Sequence, residues 1–384
     1  MAMTQDVDDF LSIDDEDPTT SPAVAEAAQV ALERAGDKRG QAIAKVRLAE
    51  ALSLTGKAQE AMAQAQEALD ICEDMRFEVG RGAALAAIAR ICAAHGAGED
   101  DAELGLDSAQ DALRHFRKIG VKRGEAIALW SSAQMECAFG TPRQAVKLAS
   151  EAIVLFQDSG ASSLEARACH SLADGYLAAG DTRRAAKAIE RAMAVQAALG
   201  DKTKEAKCLH TLATIELQSN EPEKATELLG KARAGFKAIG DYRAEAMVMD
   251  TQRDMHIAAG RFVEAVQIVK ETATHFHDAG DRGREARALL KLSELLLEGG
   301  DTEKSQKVAE VSANILVEAR DDEGVKQAFE LMGAIKHASM KREMEAVIEL
   351  NSGFMHVPKH LIVDPGLNKR IQQSYGEALQ KSLF

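Results

Sequence analysis

The stretch HDAGDRGREARALLKLSELLLEGGDTEKSQK, residues 277–307, contains two Gly-Asp steps, Gly280-Asp281 and Gly300-Asp301, twenty residues apart. Between them Ala286, Leu289, Leu290, Ser293 and Leu296-Leu297 recur every three or four residues, the period of an amphipathic helix. Glycine closes a helix by adopting the left-handed conformation, and aspartate caps the next one. The stretch therefore reads as one helix of about four turns set between two tight turns.

The same beat runs outward in both directions. Glycines stand at 120, 140, 160, 180, 200, 240, 260, 280 and 300, and Asn220, the next most tolerant residue, fills the gap. Asp181, Asp201, Asp241, Asp281, Asp301 and Thr141 follow as candidate N-caps, and Pro142 and Pro222 occupy first helical positions, where a missing N–H costs nothing. The blocks alternate in character, so the true unit is forty residues. Odd blocks carry Glu-Ala (Glu125-Ala126, Glu165-Ala166, Glu205-Ala206, Glu245-Ala246, Glu285-Ala286). Even blocks carry small residues five and twelve places after the turn: Ala145/Ala152, Ala185/Ala192, Ala225/Ala232, Ala265/Thr272 and Ser305/Ser312. Units begin near 37, 77, 121, 161, 201, 241, 281 and 321; GAGEDD (96–101) lengthens the second, and the eighth is degenerate. The chain is thus expected to be all-α, an α-solenoid of stacked antiparallel helix pairs with about seven to eight repeats.

Composition agrees. Aromatics make up 4% of the chain and its six prolines avoid the periodic segments, as expected of helices packed backbone to backbone. The net charge of −14 argues against nonspecific nucleic-acid or membrane-surface binding. Seven acids and no Lys or Arg fall within residues 1–22, so much of the imbalance is a tail. Five dispersed cysteines without a Cys-x-x-Cys pair indicate a reducing compartment. No apolar run is long enough to span a bilayer, and a cytoplasmic location is the default.

Leu172-Ala173, Gly180, Ala185 and Ala192, with Tyr176, stand in the relative positions of the tetratricopeptide repeat, and Leu48-Ala49/Ala61/Ala68 and Leu212-Ala213/Ala225/Ala232 repeat that spacing. The forty-residue unit resembles the long variant found in kinesin light chains and in the Pins family of scaffolds, over about residues 22–350. The Leu-Gly-Asn of Pins-type helices is replaced by Leu172-Ala173-Asp174 and Leu212-Ala213-Thr214. The resemblance implies a right-handed superhelix whose first helices line a peptide-binding groove. It carries that groove onto Arg90, Ile127, Trp130, Gln134, Arg167, His170, Asp174, Lys207, His210, Asp250, Asp254 and Arg287. On this reading Arg and Lys contact carboxylates, and Trp130, the sole tryptophan, is the apolar anchor; the alternative is that the charges are ordinary solvated faces and Trp130 is core.

The termini depart from the beat. Residues 1–21 read as an acidic disordered tail, with Phe10, Leu11 and Ile13 embedded in VDDFLSIDDED (7–17); the stretch either solubilises or acts as a motif read by a partner or by the chain's own groove. Residues 351–384 read as a linker with Pro358 and Pro365, then an amphipathic helix whose stripe is Leu367, Ile371, Tyr375, Leu379 and Leu383, either a cap or a docking helix.

No phosphate loop, His-Glu-x-x-His or Gly-x-Ser-x-Gly is present, so a non-catalytic reading without cofactor or metal is favoured. His275 and His277 diverge on a helix, and Cys169-His170 with Cys208-His210 make a poor metal set. The expected function is a protein–protein interaction scaffold or adaptor that binds a partner's extended or helical peptide, acidic and apolar in preference. The alternative is a regulatory sensor subunit switched by a small ligand or signalling peptide and autoinhibited by the acidic tail.

Overall fold

A computed structural model describes residues 36–96 and 98–354. The acidic tail, the stretch 22–35 and the C-terminal segment from 355 lie outside the described residues, as do the side chains of 343, 344 and 346–354. Fifteen α-helices make up the described chain: α1 (Lys38–Leu54), α2 (Ala58–Asp74), α3 (Glu78–His95), α4 (Glu99–Ile119), α5 (Lys122–Ala138), α6 (Pro142–Asp158), α7 (Ser162–Ala178), α8 (Thr182–Leu199), α9 (Lys202–Gln218), α10 (Pro222–Ile239), α11 (Tyr242–Ala258), α12 (Phe262–Asp278), α13 (Arg282–Glu298), α14 (Thr302–Ala319) and α15 (Asp322–Phe354). They fall into two compact units, through Met255 and from His256. In the first, the pairs α1/α2, α3/α4, α5/α6, α7/α8 and α9/α10 pack within themselves, each pair packs on the next, and α1, α3, α5 and α7 touch in a row. In the second, α12 packs on α13, α13 on α14, and α15 on both α13 and α14.

The turns follow the sequence. Gly56, Gly120, Gly160, Gly180, Gly200, Gly240, Gly260, Gly280 and Gly300 have φ between +69 and +83°, and Asn220 has +60°. Arg76 and Arg320 hold the same left-handed conformation at φ +52 and +55°, at the backbone cost glycine avoids. Asp37, Asp181, Asp201, Asp241, Asp281, Asp301 and Asp321 each accept a hydrogen bond from the backbone N–H three residues on. The block at 140 differs from expectation. Gly140 is not left-handed, a side chain there would run into the Glu136 carboxylate, and that carboxylate accepts the Thr141 N–H at 3.0 Å. Thr141 makes no side-chain cap, so Pro142 alone prepares α6.

The small residues lie where the helices meet. Ala145, Ala185, Ala225, Ala265 and Ser305 are fully buried, as are Ala152, Ala192, Ala232 and Ser312. Where serine replaces alanine, backbone carbonyls take up the hydroxyl: Ser305 donates to Ser293 O at 2.7 Å, Ser293 to Ser305 O at 2.8 Å, and Ser312 to Ala286 O at 2.7 Å. The Glu-Ala signature gains a physical reason. Glu125, Glu165, Glu245 and Glu285 are buried carboxylates, each held by a cation: Arg117 at 2.9 Å, Arg191 at 2.8 Å, Arg233 at 3.2 Å and Arg282 at 2.7 Å.

A further register, missed in the sequence, runs through the second helices. Phe116, Phe156, Phe236, Phe276 and Leu316, forty residues apart, are all buried four places before a turn. Phe116 wedges between α3 and α5, where a side chain at Gly82 or Gly124 would strike its ring. In α8 this place is Gln196, 2% exposed, whose Oε1 is buried without a hydrogen-bond partner. A lone buried acceptor costs about 1–3 kcal/mol.

Three expected outcomes follow for a denaturant titration. Gln196→Met, of similar volume, should raise stability by about 1–3 kcal/mol by removing the orphan acceptor. Ala185→Leu or Ala225→Leu should lower it by about 1–3 kcal/mol through overpacking. Arg184→Leu, at an exposed side chain joined to Asp181 and lying over Tyr176, should leave the midpoint nearly unchanged.

Candidate functional site on the first helices

The candidate residues come from equivalent places on successive first helices, and forty-residue spacing turns sequence neighbours-but-one into side-chain neighbours. In the first unit these contacts form a ladder. Arg90 on α3 pairs with Glu50 on α1 and donates to Ser131 Oγ on α5 at 3.1 Å. The indole N–H of Trp130 on α5 donates to Ser171 Oγ on α7 at 2.9 Å. The guanidinium carbons of Arg90 and Arg167 lie 5.1 and 4.5 Å from the Trp130 ring centroid, within cation–π range. His170 Nε2 on α7 lies 3.5 Å from Cys208 Sγ on α9, and His210 Nε2 lies 2.7 Å from Thr251 Oγ1 on α11.

This placement corrects part of the groove. Trp130 is 3% and Ile127 1% exposed, so neither presents a surface to a ligand. Trp130 is instead the buried floor on which two arginines rest, because its N–H finds Ser171 and its ring finds cations. Arg90, Gln134, Arg167, His170, Lys207 and His210 are half-buried. Asp250 and Asp254 are spoken for: both pair with Arg253, a buried arginine at the place held by Ala173 and Ala213 two and one units earlier. Nothing in the acidic residues themselves announced this; the signal was a cation where the register calls for a small side chain. Arg287 belongs to the second unit, where it is exposed and bonds Asp321 at 2.8 Å. Of the twelve, Ile127 and Trp130 are therefore core, and Asp250, Asp254 and Arg287 each have an ion-pair partner.

Three arginines act on Glu50. Burial would raise its carboxyl, but Arg90 and Arg167, with Arg47 nearby, overcome that and hold it below the usual carboxylate range. Asp174 keeps solvent access yet is flanked by enough protein that desolvation pushes its carboxyl up. Gln134 adds a buried Oε1 with no hydrogen-bond partner. The thiols are poor nucleophiles: burial pushes Cys72 and Cys169 up to about 12 and Cys92, Cys137 and Cys208 up to about 11. Among the described residues no three His, Cys, Asp or Glu side chains gather as a metal site, and no helix is long and apolar enough to cross a membrane.

Burial lowers the imidazole affinity of both His170 and His210 for protons below the ordinary value of 6.5. An unfolded chain therefore binds more protons as the medium acidifies, and stability present above pH 6.5 is lost as pH falls through the folded values. Between pH 7 and 5 the thermal midpoint should fall, and the His170→Gln/His210→Gln variant should show a shallower fall over that window. Parallel curves would mean these rungs do not titrate.

No protein-family model matches the chain. The regulatory protein AfsR of Streptomyces griseus is 36% identical over 137 residues, which are 36% of this chain and 13% of AfsR. Among solved structures, a signal transduction ATPase with numerous domains and a tetratricopeptide repeat sensor, from Pyrococcus horikoshii, is matched over 78% of this chain and 46% of its own. That likeness has 20% sequence identity and a TM-score of 0.54. The quorum sensor NprR from B. thuringiensis is matched over 77% of this chain and 82% of its own, at 12% identity and a TM-score of 0.49. The chain thus spans a small part of AfsR and less than half of the ATPase. The likeness to the Pyrococcus ATPase and the forty-residue helix pairs together show the fold: an all-α solenoid of tetratricopeptide-type helix pairs.

Proposed function

We propose that the protein is a non-catalytic interaction scaffold whose first helices, through α7, bind a peptide segment of another protein bearing carboxylate and apolar side chains. The convergence of Arg47, Arg90 and Arg167 around Glu50, over the ring of Trp130, carries this reading. Guanidinium groups form strong, directional bonds to carboxylates, and here they are set on a rigid buried platform rather than on flexible stems in solvent. Tetratricopeptide-type folds carry function in such faces and not in an active site, in keeping with five inert thiols. A second reading, a regulatory sensor that responds to a signalling peptide, draws on the sequence likeness to part of the regulatory protein AfsR. It uses the same face, and would require the bound peptide to change affinity for a further partner.

Trp130 is the sole tryptophan and reports on its own arginines. A synthetic decapeptide alternating Asp with Leu should change its emission saturably, and Arg167→Glu should weaken that binding by about 10- to 100-fold, the worth of one charge-assisted hydrogen bond. A matching Lys-Leu peptide should not bind. Equal affinities for wild type and Arg167→Glu, or preference for the Lys peptide, would refute the acidic preference.

A further inference from the structure

The second compact unit ends in an incomplete layer. Forty-residue spacing places a turn at 340–341, where other units have Gly-Asp, but the chain has Met340-Lys341 and α15 runs on to Phe354. Arg342 donates to the carbonyl of Gly300, which holds this level of α15 beside the turn that begins α14. From Met340 onward the helix overshoots the layer by about 21 Å at 1.5 Å per residue. No second helix follows α15 among the described residues.

The consequence is visible at one register position. Ala133, Ala173, Ala213 and Ser293 are the small residues on first helices that lie under their own second helices, and all are buried. The equivalent Gly333 on α15 is exposed, and a side chain built there would meet nothing. It lies in a trough of about 700 Å³ between α14 and α15, lined by Met332, Ile335, Lys336 and Ser339 with Gln306 and Glu310 opposite. The trough has the place and lining of a helix-binding seat, made by the fold's own repeat.

We propose that residues 367–383 of this chain occupy it as the second helix of the eighth unit, running antiparallel to α15. Two facts favour this occupant over any other. The first is reach. Residues 355–366 can span about 40 Å when extended, more than the overshoot of α15, so the segment can begin level with Met340 as other second helices begin level with their turns. The second is register. Small residues stand five and twelve places after the turn glycine in the seventh unit, Ser305 and Ser312 after Gly300. Counted from Gly366, the same places are Ile371 and Ala378. In the seventh unit residue five, Ser305, meets Ser293; in the eighth, Ile371 meets Gly333. A large side chain facing a glycine fills the volume that two small ones fill elsewhere. The sixteenth place, Leu316 in the seventh unit, falls on Ser382 beside Leu383, so the register holds only through Ala378.

Disulfide trapping in the full chain tests this directly, since the five native thiols are held in protonated form by burial. Under mild oxidation Gly333→Cys/Ile371→Cys should close within one chain, and Gly333→Cys/Gln373→Cys, on the other side of the segment, should not. A disulfide between two chains, equal trapping of both pairs, or trapping of neither would overturn the proposal. Hydrogen exchange on full-length Ile371→Asp gives an independent reading. Amides of 302–310 and 332–339 should exchange at least tenfold faster than in wild type, with α1–α10 unaffected. Unchanged exchange at the trough would likewise overturn it, because then nothing from the chain's own end covers that face.

Discussion

Close approach of paired helices is the constraint from which the rest of this structure follows. Alanine at both small-residue places of a second helix, Ala185 and Ala192 for example, lets two backbones come together with no side chain between them. That contact leaves the remaining apolar stripe of each pair pointing at the next pair, where the phenylalanine register fills the gap. A forty-residue unit buries nothing adequate alone; it is stable because its neighbour completes it. The same logic explains why polar exceptions are satisfied so locally, as the Ser293–Ser305 exchange of hydrogen bonds shows.

Electrostatics is layered on this packing rather than driving it. The buried glutamates of the Glu-Ala steps are each tied to an arginine, from the preceding pair at Glu125 and Glu245, from the partner helix at Glu165 and from the same helix at Glu285, and a carboxylate placed there without its cation would be a net cost. These joints resemble the Arg90–Glu50 pair in kind, but differ in what surrounds them. At Glu50 three arginines act on one carboxylate, and two of them lie on an aromatic ring. The cost of holding Arg90 and Arg167 close together is offset by Glu50 and by the Trp130 ring beneath them.

Arg253 shows how a repeat array can acquire local character without losing its frame. It stands where the other units need a small residue and is nonetheless buried, because Asp250 and Asp254 neutralise it on its own helix. Gln196 is the opposite case, a polar residue in the phenylalanine register whose amide oxygen stays unmet. Met340 is a third: where other units have a turn glycine α15 continues, and among the described residues Gly333 is exposed. Each exception is a single substitution against a strong period, and each changes what one layer presents.

The sequence by itself determined the helices, their turns and their pairing. Gly-Asp steps and small residues act locally and recur every twenty and forty places, so their meaning does not depend on distant parts of the chain. It also located the row of first helices on which Arg90, Trp130 and Arg167 stand. Only the tertiary structure decided that Trp130 is a floor and not an anchor, that Asp250 and Asp254 are occupied, and that Arg287 pairs with Asp321. The physical reason is that burial and ion pairing of a helical side chain depend on which residue of the neighbouring unit lies opposite. A period tells that two positions face each other, but not whether arginine will find a ring, a carboxylate or water there.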